Sequence, residues 1–191
     1  MGVSPFTEES SDVLAKAETA AIEMYRFAAL MLGDEAEALT LVEKTVAGVE
    51  IDPCADPCKA KGLVRDRVLD GALAIMHRQD PGSFAHLPAA DPTSRCLDDD
   101  GTVLSSAEIN YLVAGTGRGP LRDWLAHLSQ AQRAVFLQRA ILGSTNADTA
   151  HALNRHARPS LWTAEAVSSL FRQVLCSLAS SLLHSAHAVQ V

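Results

Sequence analysis

No stretch of the 191-residue chain approaches the ~18 consecutive apolar residues that a membrane-spanning helix needs. The opening Met1-Gly2-Val3-Ser4-Pro5-Phe6 has no basic segment followed by an apolar one, so no secretory signal is expected. Four cysteines are too few for a disulfide framework in a chain of this length. No run of alternating apolar and polar residues marks a strand. Gly115-Thr116-Gly117-Arg118-Gly119 neither follows a strand nor opens a βαβ unit, so it does not read as a phosphate-binding loop. None of the seven histidines is spaced with an acid and a nucleophile as a catalytic set, and Ser129, Ser144 and Ser160 lack a nucleophile elbow. These absences predict a cytoplasmic protein with no membrane partner, no cofactor and no enzymatic role.

Hydrophobic residues make up 48% of the chain and charged residues 20%, the composition of a globular protein. The net charge of −7 argues against nucleic acid when averaged, but it is unevenly placed. Residues 1–58 carry −9 and residues 79–120 carry −4. Residues 59–78 carry +3 through Lys59, Lys61, Arg65, Arg67 and Arg78, and residues 121–191 also carry +3. Two mildly basic segments therefore sit inside an acidic chain.

The apolar spacing is helical almost throughout. Leu14, Ala17, Ala21, Met24, Phe27, Ala28 and Met31 recur at three- and four-residue steps, and Gly33 fits the position just past a helix end. Asp34 and Glu37 have capping-box spacing, and a second helix follows with Ala38, Leu41, Val42, Thr45, Val46 and Val49 on one face. Asp52-Pro53 stops it. The spacing predicts a third helix over 60–78 with Leu63, Val64, Val68, Ala72, Ile75 and Met76 inward.

Residues 79–120 are rich in proline and glycine and hold the run Asp98-Asp99-Asp100, so they read as an acidic linker with one short helix opened by Ser106. So long a linker predicts two all-helical domains, at about 10–78 and 121–187. In the second, Ser129 with Gln132 and Thr145 with Asp148 open two short helices, Gly143 separates them, and Thr163 opens a long one.

Helix, glycine turn, short helix, turn and long helix over 131–185 is the outline of a helix-turn-helix unit. Met24-Tyr25-Arg26-Phe27-Ala28 followed by Met31-Leu32-Gly33-Asp34-Glu35-Ala36-Glu37-Ala38, then Leu41-Val42-Glu43-Lys44-Thr45-Val46, resembles the first conserved region of the extracytoplasmic-function type of RNA polymerase sigma factors. Leu128-Ser129-Gln130-Ala131-Gln132-Arg133-Ala134-Val135-Phe136-Leu137 is similar to the opening of that family's promoter-reading domain, and Thr163 to Arg172 to its recognition helix. The resemblance covers about residues 20–50 and 121–178. It implies core RNA polymerase and promoter DNA as partners, with an anti-sigma factor as a further one.

Carried onto this sequence, the resemblance assigns polymerase binding to Leu39, Thr40, Glu43 and Lys44. It assigns DNA binding to Lys59, Lys61, Arg65, Arg67, Arg155, Arg158, Ser168, Ser169 and Arg172. Several positions depart from the family. Thr40 stands where an acid is usual, Ser168 and Leu170 stand where a basic pair is usual, and the turn from Asn154 to Trp162 is about five residues longer. Residues 28–83 hold no Phe, Trp or Tyr, so that domain offers no platform on which melted bases could stack. A bidentate basic contact to a base contributes roughly 1–3 kcal/mol of discrimination, so a diverged member with weakened DNA contacts is expected. The alternative is a sigma mimic that occupies an anti-sigma factor without reading DNA, which the −9 charge of residues 1–58 favours.

Cys54 and Cys58 have the spacing of a zinc-ligand pair, with Cys96 and His77 as further ligands, but also that of two ordinary cysteines in a proline-bounded loop. No metal is assigned. Cys176 falls on the inward face of the last helix.

Overall fold

The computed structural model describes residues 6–48, 57–85, 105–157 and 161–188, without the side chains of 6–17, 57–60, 106 and 180–188. All secondary structure among the described residues is helical. The chain divides into two compact units, Met1–Ala72 and Leu73–Val191.

In the first unit, α1 (Phe6–Leu32) buries Met24, Phe27, Ala28 and Met31, the three- and four-residue spacing that lines one helical face. Gly33 ends it with φ 74°, a conformation costly to any residue with a Cβ, while its N–H still reaches the Ala29 carbonyl. Asp34 then caps α2 (Glu35–Gly48), its Oδ1 accepting the Ala36 and Glu37 N–H groups at 2.8 and 2.9 Å. Glu35 and Glu37 add negative charge at the positive end of the helix dipole. Helix α2 packs on α1 through Ala38 and Val42. The third helix, α3 (Pro57–Gln79), comes so close to α2 at Gly71 that an added Cβ would lie 2.5 Å from Leu41 Cδ1.

The second unit starts inside α3, where Leu73 and Met76 are buried. It continues through α4 (Pro81–Ala85), α5 (Ser106–Val113), α6 (Arg118–Ala126) and α7 (Gln130–Phe136). A π-helical turn, Leu137–Ile141, extends α7 and leads to α8 (Asn146–Asn154) and α9 (Ala164–Ala188). Phe136 lies at the centre of the core: it meets Trp124 edge to face at 4.9 Å and Phe171 at 6.4 Å. Leu125, Val135, Leu153, Val167, Leu170 and Val174 of the same unit are buried as well. Ser129 and Gln132 form a complete capping box on α7, and the Thr145 and Thr163 hydroxyls accept the N–H groups of Asp148 and Ala166. Gln138 is 1% exposed, and its amide donates to the Ala134 carbonyl at 3.2 Å.

The segment expected to be a linker is not uniformly one. Proline and glycine at 81 and 82 open a helix here, since proline suits a first helical position. Phe84, behind them, is 3% exposed. Ser83 Oγ accepts the Ala131 N–H at 2.9 Å, and the Phe84 carbonyl accepts the Trp162 indole N–H at 3.3 Å. Composition records turn-forming residues but not these distant partners. Helix α6 likewise begins before residue 121. Ser105, not Ser106, caps α5, in a capping box with Glu108. The run Asp98-Asp99-Asp100 lies outside the described residues.

Val46 and Leu63, expected inward, are 48% and 43% exposed. At about 100° per residue, Val46 projects roughly 80° from Ala38 but only about 20° from Leu39, so it turns outward with Leu39.

Candidate interaction surfaces

On α2, Leu39, Thr40, Glu43 and Lys44 are all exposed. Leu39, Glu43 and Val46 fall within an arc of about 60°, forming a ridge of two apolar side chains beside a carboxylate. Val46 was missed because its spacing from Val42 reads as inward. Lys44 projects about 140° from Leu39, on the far flank, and the Thr40 hydroxyl donates to the Ala36 carbonyl at 2.9 Å. The four assigned residues thus divide between two flanks, and the ridge is Leu39, Glu43 and Val46.

The basic residues of α3 are divided as well. Lys61 pairs with Glu23 of α1 at 2.6 Å, and Arg65 faces Asp66 at 3.4 Å. Both pairs are exposed, so each holds its cation only loosely. Arg67 is exposed but projects about 120° from Lys61. The side chain of Lys59 lies outside the described residues. Glu23, whose carboxylate offsets Lys61, is 38 positions away in the chain, and nothing in the sequence signals that pairing.

On α9, Ser168, Ser169 and Arg172 share one stripe, within about 100° of arc, and all three are half-buried. The same stripe carries Glu165, which is exposed. A hydrogen bond from its own backbone N–H, then one from the Thr163 hydroxyl, holds the Glu165 carboxyl below the usual carboxylate range. An ionised acid therefore stands at the head of the stripe assigned to DNA. Cys176, expected on the inward face of this helix, is on the same stripe, half-buried and disulfide-bonded. Arg155 is exposed at the C-cap of α8, whereas Arg158 lies outside the described residues.

Two further arginines of this unit have structural partners. Arg139 sits over the Phe171 ring, 5.2 Å from its centroid, and donates to the Ser144 carbonyl. Arg133 donates from Nε to the Leu125 carbonyl at 3.1 Å, at the end of α6, and burial lowers its pKa from the ordinary guanidinium value.

Among the described residues no three His, Cys, Asp or Glu side chains form a group able to hold a metal. Cys54 lies outside the described residues, as does the side chain of Cys58. No helix among the described residues is long and apolar enough to cross a membrane. Comparison of the chain with protein-family models, with curated proteins and with solved structures finds no match.

Proposed function

We propose that the chain is a sigma-factor-like transcription regulator. The outward ridge of α2 docks on core RNA polymerase, and Arg67, Arg155 and the 163–178 part of α9 meet promoter DNA as a helix-turn-helix. One observation carries this reading: Leu39 and Val46, each 48% exposed, stand side by side on a helix whose other face is already packed. Neighbouring exposed apolar side chains rimmed by charge are what a protein-docking surface presents. The succession of α7, α8 and α9, each opened by a hydroxyl cap, supports the second half of the reading.

Binding of the purified protein to core polymerase tests it. A saturable complex is expected, weakened about tenfold by Leu39→Asp or Val46→Asp. Absence of a complex rejects it.

A second reading draws on different observations. Ser168, Ser169 and Arg172 are half-buried, Glu165 adds charge repulsive to phosphate, and residues 1–58 carry −9. These favour a sigma mimic that engages an anti-sigma factor without reading DNA. Gel-shift titration against salt separates the two. A DNA binder gives a steep negative slope of log affinity with log salt, while the mimic gives negligible affinity at every salt concentration.

A further inference from the structure

Helix α6 presents Pro120, Asp123, Trp124 and His127 within about 100° of arc, and this face, with Leu128 and with Ser177 of α9, lines a cleft of about 460 Å³. The floor and the rim differ in character. Pro120, Trp124 and Leu128 are apolar, and Trp124 is held half-buried by its edge-to-face contact with Phe136. Asp123, His127 and Ser177 are exposed at the rim.

The rim is rich in acceptors. His127 Nδ1 lies 2.8 Å from the Asp123 carbonyl, which can only accept, so the imidazole proton sits on Nδ1. In the neutral ring Nε2 is then left as an acceptor. The Asp123 carboxylate accepts too, and the Ser177 hydroxyl can. Among the described residues no lysine or arginine lines the cleft. Arg118 and Arg122 project about 160° away from Pro120 on α6, and Arg172 projects about 140° away from Ser177 on α9. One carboxylate and one indole over an apolar floor call for a flat, positively charged group with an apolar stem.

We infer that this cleft takes the arginine side chain of a partner protein, its guanidinium stacked on Trp124 and hydrogen-bonded to Asp123. Arginine suits the pair better than lysine, because a planar guanidinium stacks on an indole and forks onto a carboxylate at the same time. The partner is a protein rather than a free cation. The carboxylate is exposed and holds an inorganic ion only weakly, whereas an arginine in a peptide chain adds stacking of its guanidinium on Trp124 and packing of its stem on Pro120 and Leu128. This site lies within the second unit and does not depend on the proposed role in transcription.

Two-dimensional nitrogen–proton NMR of the full chain, titrated with the peptide acetyl-Gly-Arg-Gly-amide, tests it without polymerase or DNA. The Trp124 indole signal, assigned with Trp124→Phe, is expected to shift saturably, and the Trp162 indole signal is expected to stay in place. The citrulline peptide, equal in shape but uncharged, should bind more weakly, and Asp123→Asn should weaken the arginine peptide about threefold while leaving the remaining spectrum unchanged. A shift that does not saturate, equal binding of the citrulline peptide, or an unchanged affinity in Asp123→Asn overturns the assignment.

Discussion

Asn154 brackets the backbone of Trp162: its Nδ2 donates to the Trp162 carbonyl at 2.8 Å, and its Oδ1 accepts the Trp162 N–H at 3.0 Å. One side chain at the end of α8 thereby closes the long turn before α9 on both hydrogen-bonding groups of a single residue. Both bonds are partly buried, so Asn154→Ala leaves two backbone groups seeking water. A loss of about 2 kcal/mol is expected, seen as a lower urea midpoint with an unchanged slope. An unchanged midpoint would show that the turn holds without the bracket.

Trp162 also ties the last helices to α4, through its indole N–H and the Phe84 carbonyl. Ser83 Oγ meets the Ala131 N–H, and the Gln130 side-chain amide donates to the Gln79 side-chain carbonyl at 3.3 Å. A fragment beginning at residue 121 lacks all three partners and also exposes the site that buries Phe84. It should melt broadly or not at all in calorimetry, whereas a fragment beginning at residue 73 should melt cooperatively. Equal transitions in both would count against an integrated α4.

Thr149 is fully buried, and its hydroxyl has no hydrogen-bond partner among the described residues. Desolvating a hydroxyl without compensation is unfavourable, and valine has nearly the same shape. Thr149→Val is therefore expected to raise stability by about 1 kcal/mol in chemical denaturation. A destabilised variant would show that the hydroxyl is satisfied.

The two glutamates in the first turns of α5 and α9 make stability depend on acid pH. The Ser105 hydroxyl, then the Ser105 N–H, hold the Glu108 carboxyl below its ordinary range, and Glu165 is lowered as described. A carboxylate depressed by folding stabilises fully above its unfolded pKa, and the contribution is lost as pH falls through the folded one. Denaturation midpoints of Glu108→Gln, Glu165→Gln and the double variant should accordingly converge on those of the parent as pH drops below the carboxylate range. A constant gap between parent and double variant across that range would contradict the assignment.

Cys176 is disulfide-bonded, and the chain has four cysteines. Thiol titration of the protein unfolded without reductant should therefore find no more than two free thiols, rising to four once it is reduced. Four thiols before reduction would rule the bond out.

The helix starts were legible because capping is local chemistry. Ser129 and Gln132, or Thr145 and Asp148, meet each other within one turn, whatever the rest of the chain does. Gly33 and Gly143, both at positive φ, mark helix ends for the same reason. The candidate surfaces were less legible. That Ser168, Ser169 and Arg172 share a stripe follows from their spacing, but their half-burial does not.

What the amino-acid order determined by itself is the all-helical class, most helix ends and the apolar spine of each long helix, since periodicity and capping act over three or four residues. Only the tertiary structure decided that Glu23 offsets Lys61, that Val46 turns outward beside Leu39, and that Phe84 serves the last helices rather than a linker. The first and last of those outcomes join residues 38 and 78 positions apart, and the second turns on which face of α2 packs against α1; all three are set by which faces pack together rather than by any local preference.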